Sequence, residues 1–295
     1  MILNVSGRTD IIAFYEKWFM NRLNAGFVDV RNPFNHNLVS RINFSDVDLI
    51  LFCTKNPIPI LNDLDKIKIP FIFHVTITPY KNDIEPNVIL KTEIINAVKK
   101  ISTIIGKDNI YIRYDPIFLS DKYNIVYHIK AFNKLCTLLK GYVNTIIVSF
   151  LDEYKNVLKN KNILKYRQFT ENEYKLIGEN FSNIARTNNM VVQTCFEDRN
   201  LTEYGFKKGE CLSHELAYKL TGKTYKSWKA RKERKCECVE MADIGCYNSC
   251  KHFCKYCYAN YDEKMVNENF KNHDVNSSLL CGNLKKDDII KVRNK

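Results

Sequence analysis

Apolar and polar positions follow two different periods between residues 1 and 198. Short runs rich in β-branched residues predict strands at residues 2–6, 28–30, 49–53, 71–78, 110–114, 145–150 and 190–196. Stretches with helical spacing lie between them, at residues 13–25, 92–105, 123–140 and 171–188. Thr170 precedes the last helix and Glu173 follows three positions later, which is a capping-box pattern. Repeated strand and helix units predict an α/β protein with a parallel sheet.

Each predicted strand ends in polar residues, several of them charged. The endings are SGRTD, RNPFN, TKNP, TITPY, RYDP, SFLD and QTCFED, in chain order. The carboxyl ends of parallel strands face one opening, where active sites lie. A polar residue is also an ordinary way for a strand to stop, so one ending alone decides nothing. Seven endings together predict a functional mouth.

Several side chains of these endings are candidates for catalysis or binding. Arg113 and Asp115 stand two positions apart, so they point to the same side of a strand. Such a pair can orient a carboxylate or a phosphate, or it can form a salt bridge that closes the end of the sheet. We predict catalytic roles for Arg113, Asp115 and Lys55, and cofactor-binding roles for Arg8, Asn56 and Ser149.

The sequence pattern changes near residue 199, where cysteines, glycines and charges replace the regular periods. We predict two units, a βα unit at 1–198 and a cysteine-rich region at 199–295 that lies against it. No run approaches the roughly 20 apolar residues of a membrane helix, and MILNVSGRTD turns polar too early for a secretory signal. We therefore expect a cytoplasmic protein without a membrane partner. In that compartment the eleven cysteines are better explained by metal binding than by disulfides.

The formal net charge of +12 suggests a polyanionic partner such as nucleic acid. The lysines are scattered, with denser runs such as KARKERK at 229–235, and a solvated basic surface is the simpler explanation. The chain shows neither a Ser-His-Asp arrangement nor a glycine-rich phosphate loop. These absences argue against a hydrolase or a nucleotide kinase.

The segment CKHFCKYCYAN, residues 250–260, holds three cysteines in the spacing C-x3-C-x2-C. Thiolates bind zinc or iron–sulfur clusters. Structural zinc sites usually pair two C-x2-C hooks, whereas Cys250, Cys254 and Cys257 on a [4Fe-4S] cluster leave one iron open to an external molecule. Cys246 is an alternative fourth ligand, which would close the site and favour an electron carrier or sensor.

C-x3-C-x2-C followed by Tyr-Ala-Asn resembles the cluster loop of radical S-adenosylmethionine (radical SAM) enzymes, most closely the CxHxCxYCYA form of the spore photoproduct lyase branch. The matching positions are Cys250, His252, Cys254, Tyr256, Cys257, Tyr258 and Ala259. The resemblance implies a [4Fe-4S] cluster on the three cysteines, with SAM on the open iron and a 5′-deoxyadenosyl radical as its product. It also implies cofactor contacts from Tyr256, Tyr258 and Asn260, and a reductant such as flavodoxin or ferredoxin.

The segments TKNPIPIL, VTITPY and RYDPI are similar to segments that follow the cluster loop in that branch, but here they precede it. The resemblance therefore implies a permuted, partial (β/α) TIM-like barrel with an iron–sulfur region at its C-terminal end. From SGRTDI and VRNPFN to HDVNSSLLCG, the whole chain resembles domain of unknown function family 1848, whose C-terminal cysteines have been likened to a radical SAM cluster.

Four further cysteines match a spaced C…C…CxC set that recurs in the same family resemblance: Cys195, Cys211, Cys236 and Cys238. Four thiolates from separate loops favour a second metal site, either an iron–sulfur cluster or a zinc ion. The alternative is that Cys195 is only a small buried hydrophobe.

We expect a radical SAM-like enzyme with an unknown substrate, for which a nucleic acid or nucleotide is a candidate. The alternatives are a zinc-stapled nucleic-acid-binding protein and a non-catalytic iron–sulfur electron carrier or sensor.

Overall fold

Strands and helices alternate along most of the chain. The computed structural model describes residues 1–195, 197, 199–228 and 237–293. The strands in these ranges are β1 (Ile2–Val5), β2 (Phe27–Arg31), β3 (Leu38–Asn43), β4 (Leu49–Thr54), β5 (Phe71–Thr76), β6 (Ile110–Ile117), β7 (Thr145–Phe150), β8 (Val191–Thr194), β9 (Lys207–Lys208), β10 (Met241–Asp243) and β11 (Ile289–Val292). The α-helices are α1 (Ile11–Phe14), α2 (Glu16–Ala25), α3 (Lys91–Ile105), α4 (Ile125–Leu139), α5 (Lys155–Lys159), α6 (Lys161–Leu164), α7 (Glu171–Thr187), α8 (His214–Thr221) and α9 (Glu263–Lys271).

Eight strands form one large sheet in the order β10-β1-β4-β5-β6-β7-β8-β9. Every neighbouring pair in it is parallel. The prediction of an α/β protein with a parallel sheet is therefore confirmed. The two edge strands, β9 and β10, come from the part of the chain after residue 198. The cysteine-rich region thus contributes backbone to both edges of the sheet.

Six of the seven predicted strands lie in the large sheet, and the one predicted at 28–30 does not. It forms within β2, which pairs with β3 in a separate three-stranded sheet, where β11 is the other edge. The β2–β3 pair is antiparallel, so β2 is not a strand of a βα unit. The expectation that RNPFN reaches the common mouth was wrong, because a short apolar run does not reveal which sheet it joins.

The two faces of the large sheet are covered by different parts of the chain. Side chains alternate along each strand, so Leu3 and Val5 pack with helices α2, α3, α4 and α7 in the main core. The other face, which we call the inner face, carries Ile2, Leu49, Leu51 and Ile72. It is covered by Ala217 of α8, by Leu212 just before α8 and by Val239 just before β10. Complete burial of one such side chain stabilises the fold by about 1.5–3 kcal/mol. Helix α8 therefore covers the apolar part of the inner face.

The helix starts follow the expected local chemistry. The Thr170 hydroxyl accepts from the Glu173 amide, and the Glu173 carboxylate accepts from the Thr170 amide at 2.9 Å. This reciprocal pair confirms the capping box at the start of α7. None of the helices in the described ranges has both the length and the apolar character that crossing a membrane requires.

Candidate functional site

The inner face of the sheet becomes polar at its carboxyl end. Three strands present a polar residue two positions beyond an apolar residue of the inner face, and alternation keeps that residue on the same face. Asn4 follows Ile2, His74 follows Ile72, and Ser149 follows Ile147. These residues line a cavity of about 530 Å³, together with residues of the segment that contains the C-x3-C-x2-C cysteines.

The cysteine loop, residues 250–259, forms the wall opposite the strand ends. Its first anchor is Asp10, whose carboxylate lies 2.9 Å from Nε2 of His252 and accepts from the Lys55 backbone N–H at 2.7 Å. The other oxygen of Asp10 accepts from the Ala13 N–H at 3.0 Å and so caps α1. One buried carboxylate thus joins the ends of two strands to the loop.

Glu85 is the second anchor of the cysteine loop, and it is 1% exposed. Its carboxylate accepts from Lys55 Nζ at 2.8 Å, from Thr78 Oγ1 at 2.7 Å, from Lys91 Nζ and from the Tyr256 hydroxyl. Burial alone raises the pKa of a carboxyl, but the two ammonium groups outweigh it and lower the pKa of Glu85 to about 2. Lys55 is therefore held by a buried carboxylate beside the loop.

Arg113 and Asp115 of one strand ending and Ser149 of another meet in one hydrogen-bonded chain. The Arg113 guanidinium donates to Asp115 Oδ2 at 3.0 and 2.5 Å, and the Ser149 hydroxyl donates to the other oxygen. Arg113 Nη1 also donates to Cys211 Sγ at 3.1 Å. The salt bridge allowed by the sequence forms, and its members still line the cavity.

Cys195, Cys211 and Cys238 form a compact group that could hold a metal ion. Their sulfur atoms all lie within 4.8 Å of one another. Contacts with Cys195 and Cys238, helped by Arg113, hold the pKa of the Cys211 thiol well below its usual range. Cys195 and Cys211 line the cavity, whereas Cys238 lies behind them in full burial. Cys236, the fourth predicted ligand, and the KARKERK run lie outside the described residues.

The thiols of Cys250, Cys254 and Cys257 also line the cavity. They are more widely spaced than the compact group, which is the one set of three ligand side chains within 4.8 Å in the described ranges. Burial raises the pKa of all three thiols, in the case of Cys254 to about 12. The thiols therefore stay protonated at neutral pH unless a bound metal takes the place of the protons.

Cys246 precedes the cysteine loop, and its carbonyl accepts from the Ser249 hydroxyl at 2.7 Å. It does not line the cavity within the described part of the chain, and it packs with Cys281 at the edge of the main core. A contact with the Cys281 thiol lowers the pKa of Cys246. The two thiols are thus each other's neighbours.

The remaining predicted site residues differ in their positions. Arg8 lines the cavity and its Nε donates to Asp243 at 2.5 Å. Asn56 accepts from the Ile58 N–H at 3.1 Å, and Asn260 hydrogen-bonds the backbone of Cys250. Neither amide is among the described residues that line the cavity. The predicted site residues that do line it are Arg8, Lys55, Arg113, Asp115, Ser149, Tyr256, Tyr258, Cys195, Cys211, Cys250, Cys254 and Cys257.

Three cavity residues with buried polar atoms that have no hydrogen-bond partner in the described ranges were not among the predicted site residues. The atoms are Asn4 Oδ1, Thr9 Oγ1 and both ring nitrogens of His74, all buried. Burial, with a smaller effect from Arg113, lowers the pKa of His74 to about 3, so the ring is neutral. Buried polar groups are nearly always paired, so these atoms indicate a place for a polar ligand. For His74, the available signal was its position two residues beyond Ile72 on the inner face.

The fold and the cavity define a class, namely a parallel α/β protein with two sets of cysteines at the carboxyl ends of its strands. The chain belongs to the family described as Domain of unknown function (DUF1848), whose sequence profile matches residues 2–259. No curated protein matches the sequence. Among solved structures, the chain is similar to a Bacillus cereus enoyl-acyl carrier protein reductase crystallised with NADP+ and indole naphthyridinone. The identity is 9%, the TM-score is 0.26, and the match covers 70% of this chain and 76% of that chain.

Proposed function

We propose that this protein is a radical SAM-like iron–sulfur enzyme, in which Cys250, Cys254 and Cys257 hold a [4Fe-4S] cluster that faces the cavity. The observation that carries the proposal is the arrangement of these three thiols on the wall of a ligand-sized cavity that also contains unpaired polar groups. Cavities of about 300–1,000 Å³ are typical of small-molecule sites. With SAM and an electron, such a cluster supplies hydrogen abstraction from a substrate.

The donor set fits a cluster better than a single ion. In a cluster each cysteine binds a different iron, so its sulfurs stand farther apart than the ligands of one tetrahedral ion. The wider spacing of the loop thiols agrees with this requirement. The thiols come from consecutive turns of one loop, which His252 and Tyr256 tie to the strand ends. Anchoring on both sides holds the three ligands in a fixed arrangement.

The local charge favours a cluster at this position. Lys55 and Lys91 supply two positive charges and Glu85 one negative charge next to Cys254, so the surroundings of this thiol are net positive. A cluster bound by three thiolates carries negative charge, and a nearby cation in a poorly solvated site stabilises it. In our account Lys55 is therefore first of all a positioning residue, whose positive charge stabilises the cluster.

The position of Cys246 supports an open iron. Because this thiol contacts Cys281 and is not among the described residues that line the cavity, Cys246 is not the ligand of the fourth iron in our account. The arrangement favours an enzyme over a closed electron carrier. The polar groups of Asn4, Thr9 and His74 line the same cavity and would be available to a molecule bound at an open iron.

The two arginines that line the cavity among the described residues are each paired with a carboxylate. Arg8 pairs with Asp243, and Arg113 pairs with Asp115. A polyanion would find little net attraction in such a site, whereas a ligand that carries both a carboxylate and an ammonium group could exchange with either pair. The amino-acid end of SAM has this character. Nucleotide substrates remain part of the proposal and bind, in our account, through the unpaired polar groups.

We also propose that the sheet curves into the open, permuted barrel that the sequence implies. Met241 of β10 and Cys195 beyond β8 stand near opposite edges of the sheet, yet both line the same cavity. A flat sheet would keep these edges many strand widths apart, since neighbouring strands are about 4.8 Å apart. Curvature brings all strand ends around one site, as in TIM barrels.

The test is anaerobic incubation of the reconstituted protein with SAM and dithionite, followed by chromatography for 5′-deoxyadenosine. We expect release of 5′-deoxyadenosine and a change in the electron paramagnetic resonance of the reduced cluster when SAM is added. A Cys254→Ala variant should show neither. A cluster-loaded protein that shows no spectral change with SAM would instead support the electron carrier.

A further inference from the structure

The compact group of thiols differs from the cysteine loop in a way that assigns its ligand. The sulfurs of Cys195, Cys211 and Cys238 lie within 4.8 Å of one another. Thiolates on a tetrahedral zinc ion, at a Zn–S distance of about 2.3 Å, stand about 3.8 Å apart. A cluster would spread three thiolates over three metal atoms. We propose that these three cysteines bind one zinc ion, separate from the iron–sulfur centre.

Hydrogen bonds to two of the sulfurs support a metal-bound state. The Cys211 N–H donates to Cys238 Sγ at 3.2 Å, and the Arg113 guanidinium donates to Cys211 Sγ at 3.1 Å. Donors that point at ligand sulfurs stabilise thiolates and orient the ligands around a metal. A buried thiol group kept only for packing has no need of a cationic donor.

The site joins segments that are far apart in the sequence. Cys195 follows β8, Cys211 precedes α8, and Cys238 precedes β10. Cys195 and Cys238 pack against Ile147 of β7, so the site sits on the inner face of the sheet. One ion bound to all three cross-links the segment that carries α8 to the end of the sheet. The zinc ion thereby holds the segment with α8 against the inner face of the sheet.

The zinc also positions a cavity residue. Arg113 uses one nitrogen for Cys211 and its other side for Asp115, so its guanidinium bridges the zinc ligand and the cavity. Cys195 and Cys211 themselves line the cavity. The zinc ion therefore lies beside the cavity and shares no cysteine ligand with the iron–sulfur cluster.

The test is metal analysis of anaerobically purified protein by mass spectrometry, with zinc, iron and sulfide measured on the same sample. We expect about one zinc ion per chain in the wild type. Cys195→Ser, Cys211→Ser and Cys238→Ser should each lose most of the zinc and keep the iron. Cys53→Ser is the matched control, because Cys53 lines the same cavity outside the compact group and should leave zinc unchanged.

A second measurement uses the wild-type chain, so that it does not depend on whether the variants fold. Titration with an organomercurial should release the zinc to an indicator dye, and cobalt in its place should give the visible absorption of a tetrahedral thiolate site. Arg113→Gln should weaken zinc retention against a chelator by roughly tenfold. The proposal is overturned if the wild type contains no zinc, or if the three serine variants lose iron and sulfide instead. Loss of iron in variants of the cysteine loop, with zinc retained, bears on the cluster alone.

Discussion

Replacement of Glu85 by Gln tests the anchor that holds the cysteine loop against the sheet. The change keeps the shape of the side chain and removes one buried negative charge. Lys55 and Lys91, whose side chains are 13% and 29% exposed, then share a site with no carboxylate. Breaking a buried ion pair by removal of one partner costs about 3–5 kcal/mol. Lys91 can still reach water, so we expect a loss of about 3 kcal/mol in the free energy of unfolding.

The assay is anaerobic urea denaturation followed by circular dichroism. Glu179→Gln is the control, because Glu179 faces Lys175 at 3.9 Å on an exposed helix surface, where such pairs are worth about 0.5 kcal/mol or less. If Glu85→Gln changed the free energy of unfolding by no more than this control, the ionic anchor would be refuted.

The same variant should change the dependence of stability on pH. The pKa of Glu85 is lowered from its ordinary value of 4.5 to about 2, so its contribution is complete above pH 4.5 and is lost as the pH falls toward 2. The difference between wild type and Glu85→Gln should therefore be largest above pH 4.5 and shrink below it. A difference that grew on acidification would contradict this assignment.

Three further variants test other parts of the site. Asp10→Asn weakens the contact with His252, so iron loss to a chelator should be roughly tenfold faster, and an unchanged rate would contradict the anchor. His74→Phe removes two unpaired buried nitrogens, so the free energy of unfolding should rise by about 1 kcal/mol. A clear decrease in the free energy of unfolding would show that the imidazole is paired. Cys246→Ala should keep wild-type iron and sulfide, since this thiol lies with Cys281, and loss of iron would make it a ligand.

The strands of the large sheet were predictable because their residues are buried on both faces. β4 reads LILFCT with almost every position buried, and β7 was predicted with its observed bounds. Such runs leave few alternatives to a central parallel strand. β2, with the sequence FVDVR, has the β-branched residues of a strand but pairs in another sheet. Its partner depends on contacts that are distant in sequence, which a local pattern does not contain.

The parts of the candidate site that lie at strand endings or in the spaced cysteines could be predicted from the sequence. Arg113, Asp115 and Ser149 were each identified from a polar ending, and they meet in the structure. The pairing of Lys55 with Glu85 was not predicted, because Glu85 lies in a loop without a recognisable pattern. The contact between Cys246 and Cys281 was not predicted either, because the two cysteines are far apart along the chain.

The difference between the two sets of cysteines also required the structure. Spacing in the sequence fixes Cys250, Cys254 and Cys257 in one loop, but it does not give the distances between their sulfurs. The sequence placed Cys195, Cys211 and Cys238 in one second metal site, but only the folded chain gives the distances between their sulfurs. Metal identity depends on these distances, which is why the sequence left zinc and iron–sulfur clusters both open.

The most direct test of the account is iron and sulfide analysis of the anaerobically purified chain beside a variant in which Cys250, Cys254 and Cys257 are all alanine. We predict a brown wild-type protein with the iron and sulfide complement of one [4Fe-4S] cluster, and a variant that has lost both. A colourless wild-type protein that contains zinc and no sulfide, even after anaerobic reconstitution with iron and sulfide, would contradict the central claim.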